Sequence, residues 1–216
     1  MDTRAFAAAL PSLWDDFPNS ELPRDGRFRE LLEQVPGLTK PNNLALLNLA
    51  ASHLPPGESY VEVGSFRGTS LIAAMLDNDG KDFVAIDDFS MRDASREQLE
   101  RNLARFRLTG AELLEGDAFE LLRSGALDGR RVGVYYYDAA HTYEQQIDGL
   151  RLAEPHLADE ALLIVDDTDW DFVARAVDDY LEQQPKARTL VAIGGKDTGA
   201  PAWWEGVQVL GWSANA

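Results

Sequence analysis

The chain has 216 residues, 45% of them hydrophobic and 26% charged, which suits one globular domain with a single sizeable core and a small appendage. With 37 acidic residues against 20 basic ones, its formal charge of −17 opposes nucleic-acid backbones and anionic membranes as partners. The absence of cysteine excludes disulfides and thiolate zinc sites. No apolar run approaches the ~20 residues of a membrane span, and Met1-Asp2-Thr3-Arg4 opens no apolar leader, so a soluble cytoplasmic protein is expected.

Residues 1–38 hold two short amphipathic stretches, Phe6 to Phe17 interrupted by Pro11, and Phe28 to Val35 ending at Pro36-Gly37. Their apolar residues need a partner. The expectation is a helical lid or flap at 1–38, covering one edge of a domain at 39–216, closing over a site, or meeting a second copy in a homo-oligomer. A third helix, Asn43 to Leu54, is stopped by Pro55-Pro56-Gly57.

From Ser59 onward, strand-like and helix-like segments alternate, the pattern of an α/β fold with a parallel sheet and helices on both faces. The predicted strands are Tyr60 to Val63, Phe83 to Ile86, Ala111 to Leu114, Val132 to Tyr137 and Ala161 to Val165, the last continuously apolar as a doubly covered strand should be. Between them, Leu99, Leu103 and Phe106 mark a helix face behind a capping box at Ser95 and Gln98. Tyr143, Ile147 and Leu150 mark another, ended by Pro155. A helix over Phe172 to Leu181 then precedes a closing antiparallel pair, Thr189 to Ile193 and Gly206 to Leu210, joined by a loop at Gly194 to Gly199.

The first strand runs through Glu62 into Gly64-Ser65-Phe66-Arg67-Gly68-Thr69-Ser70 and then a helix. Glycine in such a turn permits positive φ and close approach of a ligand, and the helix start favours an anionic group. Phe66 stands where the dinucleotide fingerprint has its second glycine, so a pyrophosphate is disfavoured. An adenosine carrying a small amino-acid end fits better, which means S-adenosylmethionine.

In open α/β sheets ligands bind beyond the carboxyl ends of the strands, and here successive strand ends carry Gly64, Asp87, Asp117, Asp138 and Asp166-Asp167. Asp87 lies 23 positions after Gly64, the usual spacing for a ribose-binding acid, while Asp88 suits a helix cap. Asp117 is placed either to accept from an adenine amino group or to cap the following helix. Glu62 is placed to anchor the amino group of the methionine part. Asp138, Asp166 and Asp167, on neighbouring strand ends, could converge on a hard divalent cation such as Mg²⁺; helix capping or ion pairing is the other reading. His141, three positions after Asp138, is a candidate base for an acceptor hydroxyl, a metal ligand or a structural group.

The stretches Val61 to Ser70, Ala85 to Asp88, Tyr137 to Glu144 and Ile164 to Asp167 resemble the class I S-adenosylmethionine-dependent methyltransferases. More narrowly, they are similar to small-molecule O-methyltransferases of the catechol and macrocin (methyltransferase type 24) kind. The resemblance spans about residues 40 to 212. It implies a Rossmann-like, mostly parallel seven-stranded sheet with a reversed last strand. It also implies cofactor contacts at Gly64, Asp87 and Asp117, and Mg²⁺ at Asp138, Asp166 and Asp167. Catechol-type enzymes carry a lysine base where this chain has His141, and an asparagine ligand where it has Asp167; the double aspartate looks more like the sugar-modifying enzymes.

The resulting expectation is a metal-assisted O-methyltransferase acting on a small hydroxylated molecule. Asp138 and His141 act at the acceptor, and Glu62, Gly64, Ser65, Gly68, Ser70, Asp87, Asp117 and Asp138 hold the cofactor. Trp170 is the best placed of the tryptophans to wall the acceptor pocket, with Trp203-Trp204 read rather as a core anchor. The competing readings are a metal-independent methyltransferase of the same fold, a nicotinamide-dependent oxidoreductase, and a cofactor-binding module without catalysis.

Overall fold

The computed structural model describes residues 1–140, 142–194 and 202–215. Seven strands form one sheet in the order β3-β2-β1-β4-β5-β7-β6. They are β1 (Ser59–Val63), β2 (Asp82–Asp87), β3 (Ala111–Glu115), β4 (Val132–Tyr137), β5 (Leu157–Asp166), β6 (Ala187–Ile193) and β7 (Val207–Ser213). The pairs β1–β2, β1–β4, β2–β3 and β4–β5 are parallel, while β7 runs antiparallel to both β5 and β6. This is the mostly parallel seven-stranded sheet with a reversed last strand that the resemblance implies.

Strand alternation sorts the core into two layers. On one face Tyr60, Phe83, Val134, Tyr136, Leu162 and Ile164 pack with α3 (Pro41–Ser52), α4 (Thr69–Met75) and α5 (Arg96–Arg105). On the other, Val61, Val63, Val84, Tyr135, Leu163 and Val165 pack with α6 (Ala118–Arg123), α7 (Tyr143–Ala153) and α8 (Asp171–Gln183). Ordinary end signals set these helices: Pro41 at the first turn of α3, Ser95 accepting from the Gln98 N–H at 3.2 Å, and Thr142 accepting from the Gln145 N–H at 3.2 Å.

The N-terminal stretches become α1 (Thr3–Ala9), a 3₁₀ turn at Leu10–Leu13 and α2 (Arg27–Gln34). Phe6, Leu10, Trp14, Phe28, Leu31 and Val35 are buried in the same layer as α3. Trp14 and Trp203 pack with tilted rings, their centroids 5.0 Å apart, and the Trp203 Nε1–H donates to the Pro18 carbonyl at 2.8 Å. The segment thereby reaches the cleft, because Gly37, Leu38 and Thr39 stand in its wall.

Two sequence expectations need adjustment. The fifth strand begins at Leu157, four residues before the apolar run, since its first half is paired on one side only and tolerates exposed Asp159 and Glu160. Asp88 caps no helix: its Oδ1 accepts from the Ser90 N–H at 2.9 Å in a local turn, and Ser95 caps the helix instead. Except for Gly194, the loop read at Gly194 to Gly199 lies outside the described residues.

Candidate active site

A cavity of about 750 Å³ opens beyond the carboxyl ends of β1, β2, β3, β4 and β5, within the usual size range for a small-molecule site. Gly64 (φ +93°) lets the chain leave β1 against β4: a Cβ there would lie 1.7 Å from the Asp138 carbonyl oxygen. Gly68 (φ +86°) opens α4 in the left-handed conformation. Phe66, also left-handed at φ +48°, has its N–H satisfied by Asp87 Oδ2 at 2.7 Å, and Asp87 Oδ1 accepts from the Phe89 N–H at 2.6 Å. Asp87 therefore braces the glycine turn from the end of β2, and each oxygen keeps a further lone pair for a ligand hydroxyl.

Glu62 is fully buried behind that turn, accepting from the Tyr60 hydroxyl at 3.0 Å and the Ser70 hydroxyl at 3.2 Å. Burial pushes its carboxyl up to about 7, despite those hydrogen bonds. Ser65 Oγ lies beside it without a well-aligned hydrogen bond, leaving a buried hydroxyl unsatisfied in the cavity wall. Thr39 Oγ1 is a second such hydroxyl in the same wall. Unsatisfied buried hydroxyls are uncommon, and two on one cavity suit a polar ligand.

Asp117 caps α6, its Oδ1 accepting from the Glu120 N–H at 2.9 Å, and it also lines the cavity. At the other end Asp138 is half-buried, and its pKa is pushed well above the usual carboxylate range by loss of solvation, then by Asp166 and Asp167. The Tyr136 hydroxyl lies 2.7 Å from Asp166 Oδ2 and 3.1 Å from Asp138 Oδ2, and Asn43 Nδ2 donates to Asp166 Oδ1 at 3.3 Å. Asp138 and Asp167 stand in the cavity wall, the latter after a left-handed kink at φ +57°. Asp166 instead packs behind the wall against Tyr136 and Asn43. Among the described residues no group of three or more His, Cys, Asp or Glu is arranged to hold a metal ion. His141 lies outside the described residues.

A family model described as a methyltransferase domain matches residues 61–168, half of the chain. The chain belongs to that family. Solved structures agree on the fold of this methyltransferase. It is similar to the O-methyltransferase TomG of Streptomyces achromogenes, involved in tomaymycin synthesis and solved with S-adenosylmethionine, at 17% identity and TM-score 0.64 over 99% of each chain. An O-methyltransferase from Bacillus cereus in complex with S-adenosylhomocysteine matches at 14% identity and TM-score 0.62, over 97% of this chain and 99% of that one. A TDP-rhamnose 3'-O-methyltransferase of calicheamicin biosynthesis matches at 17% identity and TM-score 0.59, over 100% and 97%. No curated protein matches the sequence.

The methyltransferase's glycine turn, the carboxylates at the ends of β2 and β3 and the unsatisfied Ser65 and Thr39 hydroxyls fit the polar groups of S-adenosylmethionine. Of the sequence candidates, Gly64, Ser65, Ser70, Asp87, Asp117, Asp138 and Asp167 line the cavity, while Glu62 and Asp166 lie behind it. Trp170 lines it as expected. The Trp203-Trp204 pair divides: Trp203 is fully buried as an anchor, and Trp204 (φ +54°) turns into the wall. Thr39, Tyr136 and Gln145 escaped sequence reasoning altogether. Alternation along β4 could have found Tyr136, two residues before Asp138.

One substitution separates the helix cap at Asp117 from the adenine contact expected of it. Serine is as good a cap as aspartate. Asp117→Ser is expected to change unfolding free energy by less than ~0.5 kcal/mol while weakening S-adenosylmethionine about tenfold, in urea titration and calorimetry respectively.

Proposed function

We propose that this methyltransferase transfers the methyl group of S-adenosylmethionine to a hydroxyl of a small molecule, such as a sugar of a natural product, a polyol or a phenol. The observation that carries the reading is the cavity itself, with Asp87 and Asp117 at one end and Asp138 with Trp170 and Trp204 at the other. The O-methyltransferase titles of its structural neighbours support it.

When bound, the donor supplies an electrophilic methyl on a sulfonium sulfur. Asp87 receives the ribose hydroxyls, Asp117 the adenine amino group, and Ser65 and Ser70 the methionine end, with the Glu62 carboxylate behind them neutralising its ammonium. Gly64 keeps the wall free of a side chain, while Gly68, outside the wall, supplies the left-handed turn into α4. Trp170 and Trp204 bound the acceptor and exclude water, so positioning supplies much of the rate. Asp138 holds the acceptor hydroxyl and, in its ionised form, receives its proton, the raised pKa making that carboxylate a stronger base than an ordinary one; His141 is the second candidate base.

With Mg²⁺ bound, Asp138 and Asp167 would instead supply hard oxygen donors alongside water or substrate oxygens, Asp166 would buttress them, the cation would make the acceptor oxygen more acidic, and His141 would serve as the base. No described helix is long and apolar enough to cross a membrane, and a cytoplasmic location suits the cysteine-free sequence. Residues 1–38 serve as a flap over the cleft, since Gly37 to Thr39 already stand in its wall.

The test is formation of S-adenosylhomocysteine with a panel of glycosides, polyols and catechols, with Mg²⁺ or with EDTA. Turnover with a methyl ether product supports the reading, and a fall of about tenfold or more in EDTA supports the cation. A product methylated on nitrogen or carbon, or no turnover above the donor-only rate, counts against it.

Glu62 gives a pH signature. Its folded pKa of about 7 exceeds the ordinary 4.5, so in the cofactor-free protein its contribution to stability is full below 4.5 and lost as pH rises through 7. An ammonium partner favours the ionised form, so donor affinity should rise with pH up to about 7 and fall only as the donor's own amine deprotonates near ~8. Glu62→Gln should remove the acidic limb in calorimetry at pH 5.5 to 8. An unchanged limb in the variant would detach Glu62 from the donor.

A further inference from the structure

At the opposite edge of the sheet lies a second concavity, of about 240 Å³, between α1, the start of β6 and the end of β7. Most arginines of this acidic surface are ion-paired, among them Arg24, Arg27, Arg67, Arg96, Arg130 and Arg131. Arg4, Lys186 and Arg188, which all line this concavity, have no ion pair among the described residues. Lys186 is held in place: its Nζ sits 5.6 Å over the Trp212 ring, and its carbonyl accepts from the Ser213 N–H at 2.9 Å. Three cations less the one carboxylate of the wall, Glu160, leave two positive charges.

We propose that this concavity binds a small, multiply charged oxyanion of the phosphate type, at a site separate from the methyl-transfer cleft. The chain's charge of −17 repels anions from nearly all of its surface, so an anion is held only where unpaired cations converge in a recess. A phosphate group carries about −1.5 to −2 charges near neutral pH, matching the excess of the wall. Guanidinium groups pair with its oxygens bidentately, while the ammonium serves as a point charge. Thr3 and Ser213 add hydroxyls to the same wall.

The site joins α1 to the open end of the β6–β7 hairpin, where Ala187 pairs with Trp212. The other end of that hairpin, where Ile193 pairs with Val207, leads to Trp204 and Glu205 in the methyl-transfer cavity, roughly 20 Å away at ~3.3 Å per strand residue. Occupancy would staple the N-terminal helix to the strands that carry part of the acceptor wall.

The test is calorimetric titration of the intact protein, at low salt, with inorganic phosphate, pyrophosphate and glycerol phosphate. One saturable site is expected, with Lys186→Ala and Arg188→Ala each weakening it about tenfold and S-adenosylmethionine binding unchanged. Glu160→Gln should tighten it several-fold, a gain that no folding defect can imitate. Tighter binding of glycerol phosphate identifies an ester as the ligand, and tighter binding of the inorganic ions identifies free phosphate. Absence of saturable heat, an Arg188→Ala protein that binds as the wild type does, or a Glu160→Gln protein with unchanged affinity would overturn the proposal.

Discussion

Gly64→Ala is expected to destabilise the fold by at least ~4 kcal/mol and to abolish S-adenosylmethionine binding. The added Cβ would fall 1.7 Å from the Asp138 carbonyl oxygen, far inside van der Waals contact, and the atom in its way is backbone, which has no rotamer to yield. The position also holds φ +93°, strained for any L side chain. Relief would require the end of β1 to separate from β4, breaking the Asp138 N–H bond to the Val63 carbonyl at 2.9 Å and the turn that Asp87 braces. Gly57→Ala is the control: φ is +82° but nothing lies within 4 Å, so only conformational strain of about 1–2 kcal/mol applies. Urea unfolding of the two variants measures the difference; equal losses would mean that strain alone, and not the β1–β4 crossing, demands glycine.

Asp138→Asn is the second large effect, and its two consequences have opposite signs. Loss of the group proposed to receive the acceptor proton should lower kcat by about 10²–10⁴-fold with donor affinity nearly unchanged. Stability should rise at every pH above the ordinary carboxylate pKa. Burial and the neighbouring Asp166 and Asp167 hold the Asp138 pKa above its ordinary value, so its contribution to stability is full at low pH and lost as pH rises through the folded pKa. Asparagine removes that cost and keeps the shape. Thermal melts at pH 6 and 8 alongside single-turnover kinetics check both; a variant less stable at pH 8 with normal kcat would reverse the assignment.

Much of this architecture is legible in the residues. Continuous apolar runs bounded by Gly and Asp mark buried parallel strands, and β4 has the bounds its sequence suggests, Val132–Tyr137. The rim of the cavity is legible for the same reason, because a carboxylate directly after such a run must sit at a strand end. What lies behind the rim is less so. Asp166 and Asp167 are adjacent, yet one packs inward against Tyr136 and Asn43 and the other reaches the wall through a left-handed kink that no pattern of residue types announces. Thr39 depends on how residues 1–38 wrap, and that depends on a tertiary contact, Trp14 against Trp203, between segments far apart in the chain. Trp203 and Trp204 have the same chemistry, and only the local backbone sends one inward and the other to the cleft.

The central claim is that the carboxylates of β1 to β4 surround an S-adenosylmethionine site. Calorimetric titration of the donor into wild type and Asp87→Ala tests it most directly. One molecule bound per chain by wild type, weakened at least about a hundredfold in Asp87→Ala, is the expected result, since that carboxylate braces the Phe66 turn and is the group proposed to receive the ribose. No binding by wild type, or equal affinity in the two proteins, would contradict it.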